Sequence, residues 1–234
     1  MNSFNLSEKS KNYYEENDIY EIFSLAEDYP NKIFDYLYPY IQNKIVLDLG
    51  CGTGKFMQKF YKDTIKYYGL DLSEKQLEIA KNKVKGENVD FICCGAENIP
   101  LPDNSIDVII STWVLGTILE VDRRNKAIEE MKRVLKKDGV IFLVENDIGG
   151  EFEIIRNRYP NIKRTQDYNN WIESKEFICA DKFETYFKFD NKEQAKKVFG
   201  NIWGSQTEEK IQSETIKHNI IIYKYQNKNN CHIK

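Results

Sequence analysis

Three glycines, Gly50, Gly52 and Gly54, follow the apolar run Ile45-Val46-Leu47-Asp48-Leu49 and precede a helix-like pattern that begins at Lys55. Glycine lets a chain turn tightly and lets its backbone lie against a ligand with no Cβ in the way. The free N–H groups of a following helix then point at whatever is bound. Asp71 stands 21 residues past Gly50, at the end of a second apolar run. A carboxylate there accepts both hydroxyl protons of a ribose. Asp48, just before the turn, either orients the glycine loop and accepts from a ligand ammonium, or is a buried acid satisfied by loop N–H groups, because an ionised buried acid needs partners. Glu145 ends a fifth apolar run, with Asp147 two residues on. It is the candidate acid or base toward a second substrate, against a purely structural role at a strand end. Together these residues predict a site for a nucleoside-bearing small molecule.

Spacing separates this site from two relatives in chemistry. A dinucleotide fingerprint needs G-x-G-x-x-G, but Lys55 stands where its third glycine belongs. A phosphate loop needs G-x-x-x-x-G-K-[ST], but Phe56 follows Gly54-Lys55 and Leu49 takes the first glycine position. Composition narrows the partners further. Among 234 residues, Lys+Arg is 34 against Asp+Glu 37, a net charge of −3. Proteins that live on nucleic acid phosphates usually carry a basic excess, so nucleic acid is disfavoured. Basic residues do crowd at Arg156-Asn157-Arg158 and Lys163-Arg164, which predicts a solvated face. No apolar stretch reaches the ~20 residues that span a bilayer, and no signal peptide is evident at the start. Cys51, Cys93, Cys94, Cys179 and Cys231 form no C-x-x-C pair, which predicts reduced thiols in a cytoplasm, with Cys51, Cys93 and Cys94 as small buried residues. His218 and His232 are the only histidines, so no metal site is expected.

The elements that must position these groups alternate. Strands are predicted at Ile45–Leu49, Tyr67–Leu72, Val89–Cys94, Asp107–Thr112 and Gly139–Glu145, then at Phe183–Phe189 and Asn219–Tyr225. Ser73-Glu74-Lys75-Gln76 has the form of a capping box, and Leu77, Ala80 and Val84 give the helix behind it one apolar stripe. Asp122 is the expected cap of a helix whose Ala127, Ile128, Met131, Val134 and Leu135 share a face, ending at Lys136-Lys137-Asp138-Gly139. Alternating apolar strands and helices predict a parallel sheet covered on both faces. Residues 147–180 lose this period and are expected to be helices and loops inserted above the sheet. Asp190 is the expected cap of a later helix that uses Ala195, Val198 and Phe199, and Gln206–Lys217 is expected to form another helix. Before the first strand, residues 7–41 carry many aromatics, among them Tyr20, Phe34, Tyr36 and Tyr40. Two helices there form either a lid over the glycine turn, with Tyr13 and Tyr14 as candidates, or ordinary packing on the sheet edge. The organisation expected is a helical lid at 1–41, a sheet domain at 42–226 and a polar tail at 227–234.

Four segments resemble class I S-adenosylmethionine-dependent methyltransferases of the small-molecule branch: Val46–Gly54, Gly69-Leu70-Asp71-Leu72-Ser73, Ala96–Asp107 with its Ile99-Pro100-Leu101-Pro102 core, and Leu135-Lys136-Lys137-Asp138-Gly139. The resemblance covers roughly residues 40–146. It implies a Rossmann-like three-layer αβα fold with a seven-stranded, mostly parallel sheet in the order 3-2-1-4-5-7-6, the last strand antiparallel. It implies S-adenosylmethionine as cofactor, a small-molecule acceptor, and methyl transfer to O, N or C. Gly50, Cys51 and Gly52 would approach the methionine part by backbone, with Gly54 closing the turn. Asp71 would bind the ribose and Leu72 the adenine face. Ala96 and Glu97 would border the adenine edge, and Ser111, Thr112 and Trp113 would close the site after strand four.

Two positions depart from that pattern. Gly95 stands where relatives often carry an acid for the adenine amino group, so Glu97 or a backbone carbonyl is expected to take its place. Gly116-Thr117 stands where they often carry paired histidines. Two rivals stay open on these residues: a non-catalytic S-adenosylmethionine-binding partner protein, and a nicotinamide-dependent oxidoreductase, which the glycine spacing and the lack of a Tyr-x-x-x-Lys pair placed after the fourth strand disfavour.

Overall fold

The computed structural model describes residues 17–158 and 160–227. Tyr13, Tyr14 and residues 228–234 lie outside them. The run Ile45–Leu49 is strand β1, and its apolar residues leave by alternate faces: Leu47 and Leu49 enter one core with Ile109, Ile141 and Leu143, while Val46 enters a second with Val108, Ile110, Phe142 and Val144. A strand buried on both sides lacks a polar face, and parallel pairing follows from the helices that cover it. With β2 (Lys66–Asp71), β3 (Val89–Cys93), β4 (Ile106–Thr112), β5 (Leu135–Asn146), β6 (Ile178–Lys188) and β7 (Thr215–Gln226) it forms a seven-stranded sheet in the order β3-β2-β1-β4-β5-β7-β6. β7 runs antiparallel to both its neighbours and the remaining pairs are parallel. The order reverses between β1 and β4, so the glycine turn leaves β1 at the switch point where ligands of such sheets bind.

Helices α1 (Asn17–Ala26), α2 (Lys32–Ile41), α3 (Lys55–Phe60), α4 (Glu74–Lys83), α5 (Val121–Val134), α6 (Gly150–Ile155), α7 (Lys163–Glu173) and α8 (Lys192–Trp203) surround it. α2, α3 and α4 cover one face with Leu37, Met57 and Leu77; α5 and α7 cover the other with Met131 and Ile172. A third core joins Phe23 of α1, Phe152 of α6, Phe187 of β6 and Phe199 of α8.

Several boundaries differ from the sequence expectation. Leu135 is not the last residue of α5: it turns extended (φ −71°, ψ 132°), buries its side chain and opens β5 opposite Ile106, so the helix ends on Lys132 and Arg133. The i, i+4 step from Met131 to Leu135 mimicked a further turn. Glu120, without a side-chain cap bond, precedes α5, and Asp122 lies in its first turn. Asn191, not Asp190, caps α8 by accepting from the Gln194 amide. Residues Ser205–Lys210 form a short 3-10 turn, and β7 begins at Thr215, where the sequence had suggested helix. β6 starts five residues early because its first residues are exposed on the sheet edge and show no apolar alternation. Ser73 does cap α4 by accepting from Gln76 N at 3.3 Å.

The cleft at the switch point: a candidate active site

The glycine turn owes its shape to φ values of +75° at Gly50, +53° at Gly52 and +82° at Gly54, a region L side chains rarely adopt. Its amides are not free. Gly50 N and Cys51 N both donate to Leu70 O (2.7 and 3.0 Å), and Gly54 N donates to Cys51 O. Gly52 N donates to Asp71 Oδ2 at 2.9 Å. The amides of Gly50, Cys51 and Gly52 thus stitch the turn to β2, and that of Gly54 closes it. The second oxygen of Asp71 accepts from Ser73 N at 2.9 Å, so the acid spans the two loops. Burial raises the Asp71 carboxyl above its ordinary range, and the Ser73 and Gly52 amides pull it back. Each oxygen keeps a second lone pair for a ligand hydroxyl.

Asp48 is buried, and its partner is a side chain rather than the loop: Tyr67 OH donates to Oδ2 at 3.1 Å. Burial pushes its carboxyl up to about 7 against that bond, and the nearby Asp71 adds to the rise. Two acids thus share one apolar neighbourhood with few side-chain donors. Glu97 folds its carboxylate over Gly95, Oε2 standing 2.7 Å from where a Cβ would sit. Arg123 holds it from behind, Nε donating to Oε1 at 3.0 Å. The space left by the missing acid is therefore filled by the acid two residues on.

These groups open into one cleft of about 1600 Å³. Asp48, Gly50, Cys51, Asp71, Leu72, Ala96, Glu97, Thr112, Trp113 and Glu145 all line it. Three expected site residues do not. Gly52 is covered by Tyr20, whose hydroxyl lies 2.4 Å from a would-be Cβ; Gly54 faces Ala80; and Ser111 is sealed within the sheet between Leu49 and Leu143, its hydroxyl without a partner. Trp113 sits at φ +56°, an outlier for so bulky a residue. Its ring stacks on His218 at 5.8 Å. Glu145 is buried, accepts from Tyr168 OH at 2.8 Å, and is pushed up to about 8 by burial against the pull of Tyr168 and Arg124.

The aromatic N-terminal region divides. Tyr20 and Phe23 of α1 line the cleft. Phe34 stacks on Phe60 at 4.9 Å and Tyr40 packs on Phe142 at 4.7 Å, ordinary cover for the sheet. Lys55, coincidental as a phosphate-loop lysine, donates instead to the Glu27 carbonyl at the end of α1. Sequence reasoning missed Glu27, Arg124, Tyr168 and His218, which come from distant segments and carry no local spacing signal. Two further expectations change. Cys93 is exposed because it ends the edge strand β3, and Cys94 is half-buried, while Cys51 is buried as expected. Arg156, expected on a solvated face, is buried in an ion pair with Glu153; Arg158 is half-buried; only Lys163 and Arg164 are exposed, and all four face the cleft.

A parallel sheet in this order, with a glycine turn clamped at its switch point to an acid ending β2, is the fold of class I S-adenosylmethionine-dependent methyltransferases. Residues 47–143 match the family model described as a methyltransferase domain, which shows the resemblance for that segment. Over 124 residues the chain is 33% identical to ubiquinone/menaquinone biosynthesis C-methyltransferase UbiE of Campylobacter jejuni, covering 49% of this chain and 51% of that protein. It is 33% identical over 136 residues to the uncharacterized methyltransferase YcgJ of Bacillus subtilis, covering 54% of this chain and 53% of that one. The chain thus spans about half the length of the curated relatives it matches. The crystal structure of YcgJ superposes with a TM-score of 0.57 at 19% identity, over 82% of this chain and 95% of that one. A methyltransferase of Thermotoga maritima, described as a possible histamine N-methyltransferase, superposes at 0.59 and 17% identity, over 94% and 100%. At these identities the superpositions speak for the fold alone.

Proposed function

We propose that this protein transfers a methyl group from S-adenosylmethionine to a small-molecule acceptor within the switch-point cleft. The observation that carries the reading is the clamp of Gly52 N on Asp71 Oδ2 beside the buried Asp48. It leaves carboxylate lone pairs facing the glycine-turn end of the cleft, which suits a ligand bearing ribose hydroxyls, an ammonium and a sulfonium. Bound there, S-adenosylmethionine supplies an electrophilic methyl group.

The chain's own residues then have defined work. Asp71 would accept from the ribose hydroxyls, and Asp48 from the ammonium. Leu72 and Ala96 offer apolar surface for the adenine, with the Glu97 carboxylate, held by Arg123, at its edge. Trp113 would wall the meeting point of donor and acceptor, its strained backbone fixing the ring. Helix α1 would act as the cover that excludes water, tied by Lys55 to Glu27 O and by Glu21 to Lys83. Alignment in such an enclosed site contributes several kcal/mol without further chemistry. Glu145, poised near neutrality, would take the proton an acceptor hydroxyl or ammonium must lose. Free thiols at Cys51, Cys93, Cys94 and Cys179 accord with a reducing, cytoplasmic setting.

UbiE is named as a C-methyltransferase of quinone biosynthesis and YcgJ only as a methyltransferase. The residues 47–143 matched by the family model exclude α6, α7 and α8, so that match speaks for the glycine-turn half of the cleft and not for the wall those helices form. Calorimetry with S-adenosylhomocysteine tests the donor site: a saturable heat supports the reading, and none sinks it. Methyl-labelled cofactor with a metabolite extract tests the reaction; a labelled small product is expected, and NADH binding in place of S-adenosylhomocysteine would reverse the assignment.

A further inference from the structure

The cleft is larger than the roughly 300–1000 Å³ of a pocket for one small ligand, and its charge is divided. Asp48, Asp71 and Glu97 gather at the glycine-turn end, where the neighbouring cations are already engaged, Arg123 with Glu97 and Lys55 with the Glu27 carbonyl. The opposite wall, from α6 to α7, carries Arg156, Arg158, Lys163 and Arg164 against Asp167. Arg156 is accounted for: it pairs with Glu153, which Thr165 also holds, and its guanidinium lies 4.1 Å from the Phe152 ring centroid. Two other guanidiniums are not. Arg158 and Arg164 line the cleft, and among the described residues neither makes a side-chain hydrogen bond or an ion pair.

Their placement is consistent along one helix face. Arg164, Tyr168 and Trp171 stand at i, i+4 and i+7 of α7 and all line the cleft. Arg124 lies across that face, 5.6 Å from the Tyr168 ring and 4.9 Å from the Trp171 ring, with its Nε buried and lacking an acceptor. Arg158 is depressed to about 10 by burial and by the charges of Arg156 and Arg164, which Glu153 offsets in part. A half-buried guanidinium with five donors and no acceptor is costly unless a ligand completes it. Apolar walls from Trp113, Phe152 and Trp171 lie beside them.

We infer that the acceptor half of the cleft takes a small molecule with an anionic head, a carboxylate or a phosphate, held by Arg158 and Arg164, and an apolar body lying toward Trp113. This rests on the methyl-transfer reading for the role of the ligand, and on the unpaired guanidiniums for its charge. An acidic donor end beside a basic acceptor end also sorts a cationic donor from an anionic acceptor. The anionic head gives bidentate partners to planar guanidiniums, for which carboxylate and phosphate are the matching shapes.

The test uses full-length protein with and without saturating S-adenosylhomocysteine, titrated with phenyl phosphate, benzoate and benzyl alcohol. At least one anion is expected to bind about tenfold tighter than the neutral alcohol, the lower end of what charge-assisted contacts supply. Phenyl phosphate ahead of benzoate assigns a phosphorylated acceptor, and the reverse a carboxylic acid. Arg158→Gln and Arg164→Gln should each cut that anion's affinity about tenfold or more while leaving S-adenosylhomocysteine affinity unchanged. Arg164, being exposed, keeps the test decisive if the Arg158 variant fails to fold. Equal binding of the alcohol, or anion affinity untouched in Arg164→Gln, overturns the inference. Absence of S-adenosylhomocysteine binding would instead overturn the donor site, a separate reading from the same titrations.

Discussion

The amide of Gly52 donates to Oδ2 of Asp71 at 2.9 Å, so the acid that ends β2 holds the turn that ends β1. Cleft lining and loop conformation therefore share one carboxylate. Removing it strips a partner from a buried amide and a lone-pair surface from the cleft at once.

Asp71→Ala is accordingly expected to weaken S-adenosylhomocysteine binding by roughly 1–3 kcal/mol, the range for an unmet buried partner. Asp71→Asn, whose amide oxygen can still accept from Gly52, should fall between. Calorimetry reads both, and an affinity equal to that of the parent protein would place the ribose elsewhere.

Tyr20 and Gly52 form the second test. A Cβ at Gly52 would stand 2.4 Å from the Tyr20 hydroxyl, in a backbone at φ +53°. Gly52→Ala should cost about 1–2 kcal/mol of stability from the left-handed conformation alone. Gly52→Val should also displace α1 from the cleft. Adding Tyr20→Ala should recover the packing part of that loss but not the backbone part. Urea titration of the double-mutant cycle checks this, and full recovery would show that φ carries no strain.

Glu145 is the pH probe. Its folded carboxyl titrates near 8, above the ordinary value of 4.5. Between those values the native state holds a proton that the unfolded chain lacks, so stability falls as pH rises, levelling beyond about 8. Asp48 and Glu27, both raised by burial, act in the same direction. His218 is depressed, so it opposes this only below about 6.5, where the unfolded histidine protonates. Melting temperature is expected to fall from pH 6.5 to 8.5, and Glu145→Gln to remove part of that slope, gaining about 1 kcal/mol or more at pH 8.5 relative to the parent. As the base, Glu145 would also give a kcat/KM that rises to a plateau above pH 8. A profile unchanged in Glu145→Gln would reduce Glu145 to a support for Tyr168.

The Arg156–Glu153 pair tests the roof of the acceptor half. Their side chains are 9% and 3% exposed. Glu153→Gln leaves a buried guanidinium without its counter-charge and should cost about 3–5 kcal/mol. Denaturant unfolding measures it, and a loss below about 1 kcal/mol would mean that water reaches the pair.

The sequence by itself determined the sheet and the glycine-turn end of the cleft. The seven strands, their order through the resembled family, the glycine turn and Asp71 were legible because each rests on local spacing: an apolar run, three glycines, one acid at a strand end. Boundaries slipped where neighbours decided, as at Leu135, whose burial opposite Ile106 outweighed its helical spacing. The tertiary structure alone decided what each polar group touches. It gave the turn amides to Leu70 O and Asp71, placed Glu97 in the space beside Gly95, and set Tyr20 over Gly52. It turned Arg158 and Arg164 toward a cavity that their own segment does not announce. Spacing along a chain reports which residues share an element, but a site assembled from α1, β4, β5, α5 and α7 exists only once the sheet has brought their ends together.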